Sequence, residues 1–363
     1  MRIAFLAPRF HSNQSKLVEY LIENNNFVKF YVSRIGKSED HTILEPTIIK
    51  FNYLFKIIKK LINSKDVLFD YTYGLPALKE LFSFKKNKFD VIIIRDPYSI
   101  VSFCYALTSK MIGTRIVFYT QREIHRKPHS KKDKIVNGLI KFFNAKWISP
   151  CLGDKKYNKT HDQLYYVPFC MDIVKYEKHW FIDDTVNILC IGKFVKRKNH
   201  HLLIEALIPL ATKYEFNLTI IGEVSEVTGN EYYNYILDIS KDLPFKINIK
   251  INIDRDDVFE EYKKHDIFVL PSRDEPASVS NLEAMSFGLP IITSDTNKTS
   301  TYTQENGFIF NSDSVDNLNL KLTALLRNRK EIVNMGNKSL ELVEKNHNSE
   351  IVYKYLFEEV LNV

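Results

Sequence analysis

The chain has 363 residues, 45% of them hydrophobic and 26% charged, a length beyond what one core serves, so two compact domains of roughly 150 to 200 residues are expected. Eleven glycines and 12 prolines exclude collagen-like and low-complexity chains, and no apolar stretch approaches the roughly 18 residues of a membrane-crossing helix. The net charge of +7 divides unevenly: residues 1–180 hold 31 Lys and Arg against 16 Asp and Glu, and residues 181–363 hold 20 against 28. A first half at +15 beside a second at −8 aims the first at something anionic, whether a membrane surface, a nucleic acid or a phosphorylated substrate.

In chain order, Ile3 to Ala7 reads as a strand stopped by Pro8, and it is too brief for a signal-peptide core, so a cytoplasmic protein is expected. A polar loop from Arg9 to Ser15 leads into a helix from Lys16 to Glu23, and Phe27 to Val32 is a second strand. The β-branched runs Val91 to Ile94 and Ile116 to Tyr119 flank a helix-length segment, Ser99 to Met111, as in a doubly wound parallel sheet. Texture changes around residues 168–186, and a new strand, Asn187 to Ile191, ends at Gly192. Strands follow at Leu218 to Ile221, Ile247 to Ile251, Ile267 to Leu270 and Ile291 to Thr293, with a helix from His201 to Lys213 among the intervening segments. The expectation is an α/β chain of two Rossmann-like domains, 1–170 and 171–346, facing a central cleft, with 347–363 crossing back to the first. Cys104, Cys151, Cys170 and Cys190 are too scattered for a disulfide framework or a zinc knuckle and are expected as reduced, buried thiols.

Two stretches carry chemistry. Gly192-Lys193-Phe194-Val195-Lys196-Arg197-Lys198-Asn199 lies at a strand-to-helix turn, where its four cations can neutralise a diphosphate; a solvated basic loop is the plainer reading. Pro271 to Pro290 holds a loop and then a helix starting near Ser278, whose first amides, on Ser278 and Val279, form an anion site. Glu283 sits about one turn into that helix, placed to accept from two neighbouring hydroxyls, and Glu275 precedes it.

Together these stretches resemble the retaining glycosyltransferases of family 4, which have the two-domain GT-B fold. Gly192 to Lys198 is similar to that family's Gly-Arg-x4-Lys clamp, with Lys193 where Arg is usual. Glu275 and Glu283 have the E-x7-E spacing, and Glu283-Ala284-Met285-Ser286-Phe287-Gly288-Leu289-Pro290 resembles its continuation. Tyr166 to Asp172 resembles the interdomain segment, and Ile351 to Val360 the C-terminal helix. Ala277-Ser278 replaces the usual Phe-Gly, Asp295 to Lys298 stands where many members have Gly-Gly, Gln121 stands where many have His, and the Arg9 to Ser15 loop lacks a glycine pair.

The resemblance implies a hexosyltransferase-type enzyme binding a nucleotide-diphosphate sugar, more in keeping with UDP than GDP, mainly on the second domain. Lys193 and Lys198 would take the diphosphate, Glu283 the ribose and Glu275 the sugar; Gly192, Ser278 and Val279 complete the donor site. No metal or other cofactor is implied. The first domain would bind a glycan or lipid-linked acceptor in surface polysaccharide or glycolipid synthesis. A GT-B epimerase, a sugar phosphorylase and an inactive sugar-nucleotide-binding protein are the alternatives.

Other signals carry less. Asp254-Arg255-Asp256 precedes a helix, where capping explains it better than metal binding. His125 with His129, and His200-His201, lack partners at ligand spacing and are expected as solvated or capping residues. No nucleic-acid motif accompanies the basic half, so no nucleic-acid partner is expected. Lys50 to Ile62, KFNYLFKIIKKLI, spaces apolar residues helically with Lys56, Lys59 and Lys60 between them. That suits a helix packed on the sheet or, with Lys85, Lys86, Lys88 and the Arg122 to Lys134 cluster, peripheral association with an anionic membrane.

Overall fold

The computed structural model describes residues 1–35, 41–62, 68–127, 130–224 and 230–363, with backbone only for 130–132. His129 and the side chains of Lys131 and Lys132 therefore lie outside the described residues. Residues 1–170 and 349–363 form one unit and 171–348 the other.

The first unit holds β1 (Arg2–Ala7), β2 (Phe27–Val32), β3 (Thr47–Ile48), β4 (Val91–Arg95), β5 (Arg115–Tyr119), β6 (Lys146–Ser149) and β7 (Leu164–Tyr166). They pair in parallel in the order β3-β2-β1-β4-β5-β6-β7. Ile3 to Ala7 and Val91 to Ile94 are buried throughout, as β-branched and aliphatic runs must be when helices cover both faces of a sheet. The helices are α1 (Ser12–Glu23), α2 (Tyr53–Ile62), α3 (Phe69–Tyr73), α4 (Leu78–Lys86), α5 (Ile100–Ile112) and α6 (Ser130–Phe143). Helix α1 starts four residues before its expected beginning, because the polar Ser12-Asn13-Gln14-Ser15 segment is its first turn, with Gln14 and Ser15 buried. Ser99 caps α5 by accepting from the Ser102 amide. In α2, Phe55 alone is buried, so its apolar arc does not lie on the sheet.

The second unit holds β8 (Val186–Ile191), β9 (Phe216–Gly222), β10 (Lys246–Ile251), β11 (Ile267–Leu270), β12 (Ile291–Ser294) and β13 (Gly307–Phe310), parallel in the order β10-β9-β8-β11-β12-β13. Its helices are α7 (His200–Leu207), α8 (Glu231–Ile239), α9 (Arg255–Lys264), α10 (Val279–Ser286), α11 (Val315–Leu326) and α12 (Arg329–Asn346). Helix α7 ends six residues before its expected limit in a 3-10 turn, Ile208–Leu210, because Pro209 has no N–H to continue the ladder. Its Leu202, Leu203, Ala206 and Leu207 join the core formed with β8, β9 and α11. Last comes α13 (Ser349–Tyr353), which runs into a π-helical turn, Lys354–Val360, and packs in the first unit with Tyr353 5.5 Å from the Tyr20 ring of α1. The four cysteines are free thiols, three buried and Cys104 half-buried.

Candidate functional site

In each sheet the chain order reverses between two central strands, β1 and β4 in the first and β8 and β11 in the second. Connections leave such a pair in opposite directions and open a crevice at the carboxyl ends of the strands. In the second unit the two loops that leave this point are Gly192 to Asn199, after β8, and Pro271 to Ser278, after β11.

These loops meet. The Lys198 Nζ lies 2.5 Å from Glu275 Oε2, and Arg197 Nη1 reaches the same oxygen at 2.9 Å. The Lys198 and Glu275 side chains are only 11% and 7% exposed. A Cβ on Gly192 would stand 3.1 Å from the Lys198 Cδ, so the absent side chain leaves room for the lysine stem. Backbone bonds hold the loops in place: Arg273 N donates to Arg197 O at 2.7 Å and Lys298 N to Glu275 O at 3.1 Å. Two cations against one carboxylate leave a surplus positive charge at a largely desolvated position, where an anion is bound most strongly. Glu275 Oε1 has no protein partner among the described residues.

Helix α10 begins four residues after Glu275. Ser278 is its N-cap, and its Oγ accepts from Asn281 N at 3.1 Å. The expectation of a free Ser278 amide is corrected, because that N–H donates to Thr299 Oγ1 at 3.2 Å. The amides left without an acceptor among the described residues are those of Val279 and Ser280, at the positive end of the helix. Farther in, Glu283 Oε1 takes Arg255 Nη2 at 3.0 Å and Oε2 takes the Tyr262 hydroxyl at 3.1 Å. Tyr262 is fully buried, and burial, then the Glu283 charge, push its pKa up, so it stays a proton donor.

The structure brings Lys198, Arg197 and Glu275 together but not Lys193, whose Nζ is 2.6 Å from Glu223 Oε2 with both side chains half-exposed. Asp254 occupies the N-cap position of α9, as expected, but makes no side-chain capping bond. Among the described residues no group of three or more His, Cys, Asp or Glu is placed to hold a metal ion. Sequence reasoning missed Arg255 and Tyr262; their spacing of seven residues, two turns of one helix face, was the available signal.

A smaller cluster marks the same point of the first sheet. Asn13 and Gln121 donate to the Tyr119 hydroxyl at 3.0 and 3.1 Å, and the Arg95 guanidinium lies over the Tyr119 ring. Burial, and then Arg95, Arg9 and Arg34, depress the His11 pKa to about 2, so its imidazole is neutral.

The expectation of a solvated or capping histidine is corrected at His200, which is fully buried beside the rings of Phe194 and Tyr232 at 5.1 and 5.8 Å. Burial, then the Lys198 charge, hold its pKa near 3, and burial also holds His265 below its usual value. The unfolded chain binds protons at these residues below about pH 6.5 while the folded chain does not, so stability falls as pH falls from there towards about 3 for His200 and about 4 for His265. The loss should approach roughly 1.4 kcal/mol per pH unit for each such histidine. Urea unfolding at stepped pH should show it, with a smaller slope in His200→Phe; equal slopes would refute this account.

Two doubly wound parallel sheets, one in each unit, make the fold GT-B. The family described as "Glycosyl transferases group 1" matches residues 174–341, which lie within the second unit. An "Uncharacterized glycosyltransferase" of Haemophilus influenzae is 28% identical over 160 residues, 43% of this chain and 44% of that one. The "Capsular polysaccharide biosynthesis glycosyltransferase CapM" of Staphylococcus aureus is 24% identical over 193 residues, 52% of this chain and 50% of that one. The chain thus spans half or less of the length of these relatives. The Anabaena protein Alr3699/HepE, solved with UDP and glucose, superposes with a TM-score of 0.73 over the whole of both chains at 13% identity, a likeness of fold.

Proposed function

We propose that this chain is a retaining glycosyltransferase of family 4 that moves a sugar from a UDP-sugar to a glycan or lipid-linked acceptor in surface polysaccharide or glycolipid synthesis. The observation that carries this reading is the buried Lys198–Glu275 pair with Arg197 as a surplus cation at its rim, four residues before the first open amide of α10. Lys198 and the Val279 and Ser280 amides take the diphosphate, with Gly192 giving the lysine room. Lys193 serves the same anion only after leaving Glu223. Glu283 accepts from the ribose hydroxyls, and Glu275 Oε1 from the sugar.

As the sugar–phosphate bond breaks, negative charge grows on the leaving oxygen and the fixed cations stabilise it. The leaving phosphate takes the acceptor's proton on the same face, so no protein nucleophile and no metal is required. The protein works in the cytoplasm, at the inner face of the membrane. The relative named for capsular polysaccharide synthesis, and the UDP and glucose held by a protein of the same fold, support this reading.

A thermal-shift screen of nucleotide sugars in excess EDTA tests it. A UDP-sugar should raise the melting temperature, since a ligand at 100 times its dissociation constant stabilises by about 2.7 kcal/mol. No shift with any nucleotide sugar would reject the donor, and a shift that vanishes in EDTA and returns with a divalent cation would reject metal independence.

A further inference from the structure

We infer that α2, with the start of α4, is a docking face for an anionic lipid bilayer, lying in the headgroup region with its apolar arc inward. This rests on the proposed lipid-linked acceptor and assigns the surface that brings the first unit to it.

The arc is formed by Leu54, Ile57, Ile58, Leu61 and Ile62, at helical spacing, and the two leucines are 65% and 79% exposed. Its direction is fixed along one edge, by residues that border Ile62 on the helix. Phe55 stacks 5.9 Å from Phe69 of α3, and Lys59 Nζ pairs with Asp70 at 2.6 Å, so α2 is held by its inner edge. Helix α4 starts from the same strap: Phe51 bridges Pro76, Ala77 N donates to Lys50 O at 2.8 Å, and Asn52 N donates to Leu75 O at 2.9 Å. One turn apart on α4, Leu78 and Phe82 are 72% and 63% exposed. An apolar surface of this kind, turned away from its own core, marks a place where something else sits.

Charge identifies the occupant. Lys56 and Lys60 stand exposed beside the arc, and Lys79, Lys85 and Lys86 stand exposed on α4; none of the five has an ion-pair partner among the described residues. A second copy of the chain would set these lysines against themselves across a two-fold axis, a like-charge contact. An anionic bilayer accepts both features at once, the arc entering about 5–10 Å and the lysines meeting headgroup phosphates.

The test is co-sedimentation of the full chain with phosphatidylcholine vesicles, with and without phosphatidylglycerol. The protein should pellet with the anionic vesicles at low salt and much less with neutral ones. The double variant Leu54→Asp/Leu61→Asp should lower the partition coefficient about tenfold or more. Lys56→Gln/Lys60→Gln should weaken binding at low salt and little at high salt. In a separate Leu61→Trp variant, emission should move to the blue on adding anionic vesicles. These positions are exposed, and circular dichroism with the UDP-sugar thermal shift verifies that each variant is folded. The proposal is overturned if the unmodified chain stays in the supernatant, if the double aspartate variant binds equally well, or if those aspartates split a lipid-free dimer. Donor shift without vesicle binding removes the docking face alone; vesicle binding without donor shift supports the face and removes the donor reading alone.

Discussion

Replacing Lys198 with alanine is expected to lower turnover at saturating donor about 100- to 1,000-fold, the usual cost of losing one fixed contact to a charge that develops in the transition state. The Lys198 ammonium is held in advance by Glu275 at 2.5 Å, on a stem lodged against Gly192 and largely out of water. Little reorganisation is needed as the leaving oxygen gains charge. Without the lysine, Glu275 is left with Arg197, which is 47% exposed, and the cluster's surplus positive charge is gone. The remaining carboxylate stays buried but keeps only the solvent-exposed arginine as its partner, so the variant should also melt lower. Lys198→Ala/Glu275→Gln separates the two effects: the neutral pair should regain melting temperature but not turnover. Measured kcat equal to that of the unmodified enzyme in Lys198→Ala would refute the assignment.

The alternation of strands and helices was legible because both sheets are parallel and buried, and such strands read as runs like Val91 to Ile94 and Ile267 to Leu270. The short strands β3 and β7 carry too few residues for a period to register. At the site, the spacing of Glu275 and Glu283 was readable, but their partners come from distant elements that only the sheet order brings near. Arg255 lies 28 residues before Glu283, and Thr299 lies 21 residues after Ser278. The basic turn offered four cations on equal terms. The 3-10 turn Lys196–Lys198, closed by Asn199 at φ 59°, decides between them by turning Lys198 inward while Lys193 remains with Glu223. Likewise, periodicity located the apolar arc of α2 without saying which way it faces, because a helical repeat carries no information about what it packs against.

Replacing Glu283 with alanine is expected to raise the donor's KM about 10- to 100-fold, as removal of a charged hydrogen-bond acceptor worth roughly 1.5–3 kcal/mol implies, with a smaller change in kcat. The ribose does not react, so its contacts are equally strong before and during bond breaking, and they appear in binding rather than in turnover. The carboxylate suits this role because its neighbours orient it without consuming it. Arg255 takes one lone pair of Oε1 and the Tyr262 hydroxyl one of Oε2, leaving an acceptor position on each oxygen for two adjacent hydroxyls. Alanine also strips the buried Tyr262 hydroxyl of this acceptor, leaving its contact with Ser280 O at 3.3 Å, so stability should fall by about 1–3 kcal/mol. Glu283→Gln keeps one acceptor oxygen and should give an intermediate KM with less loss of stability, which separates donor binding from folding. Steady-state kinetics with varied donor and saturating acceptor, beside urea unfolding of both variants, measure the two effects. An unchanged donor KM in Glu283→Ala would remove Glu283 from the donor site and leave it a structural anchor between α9 and α10.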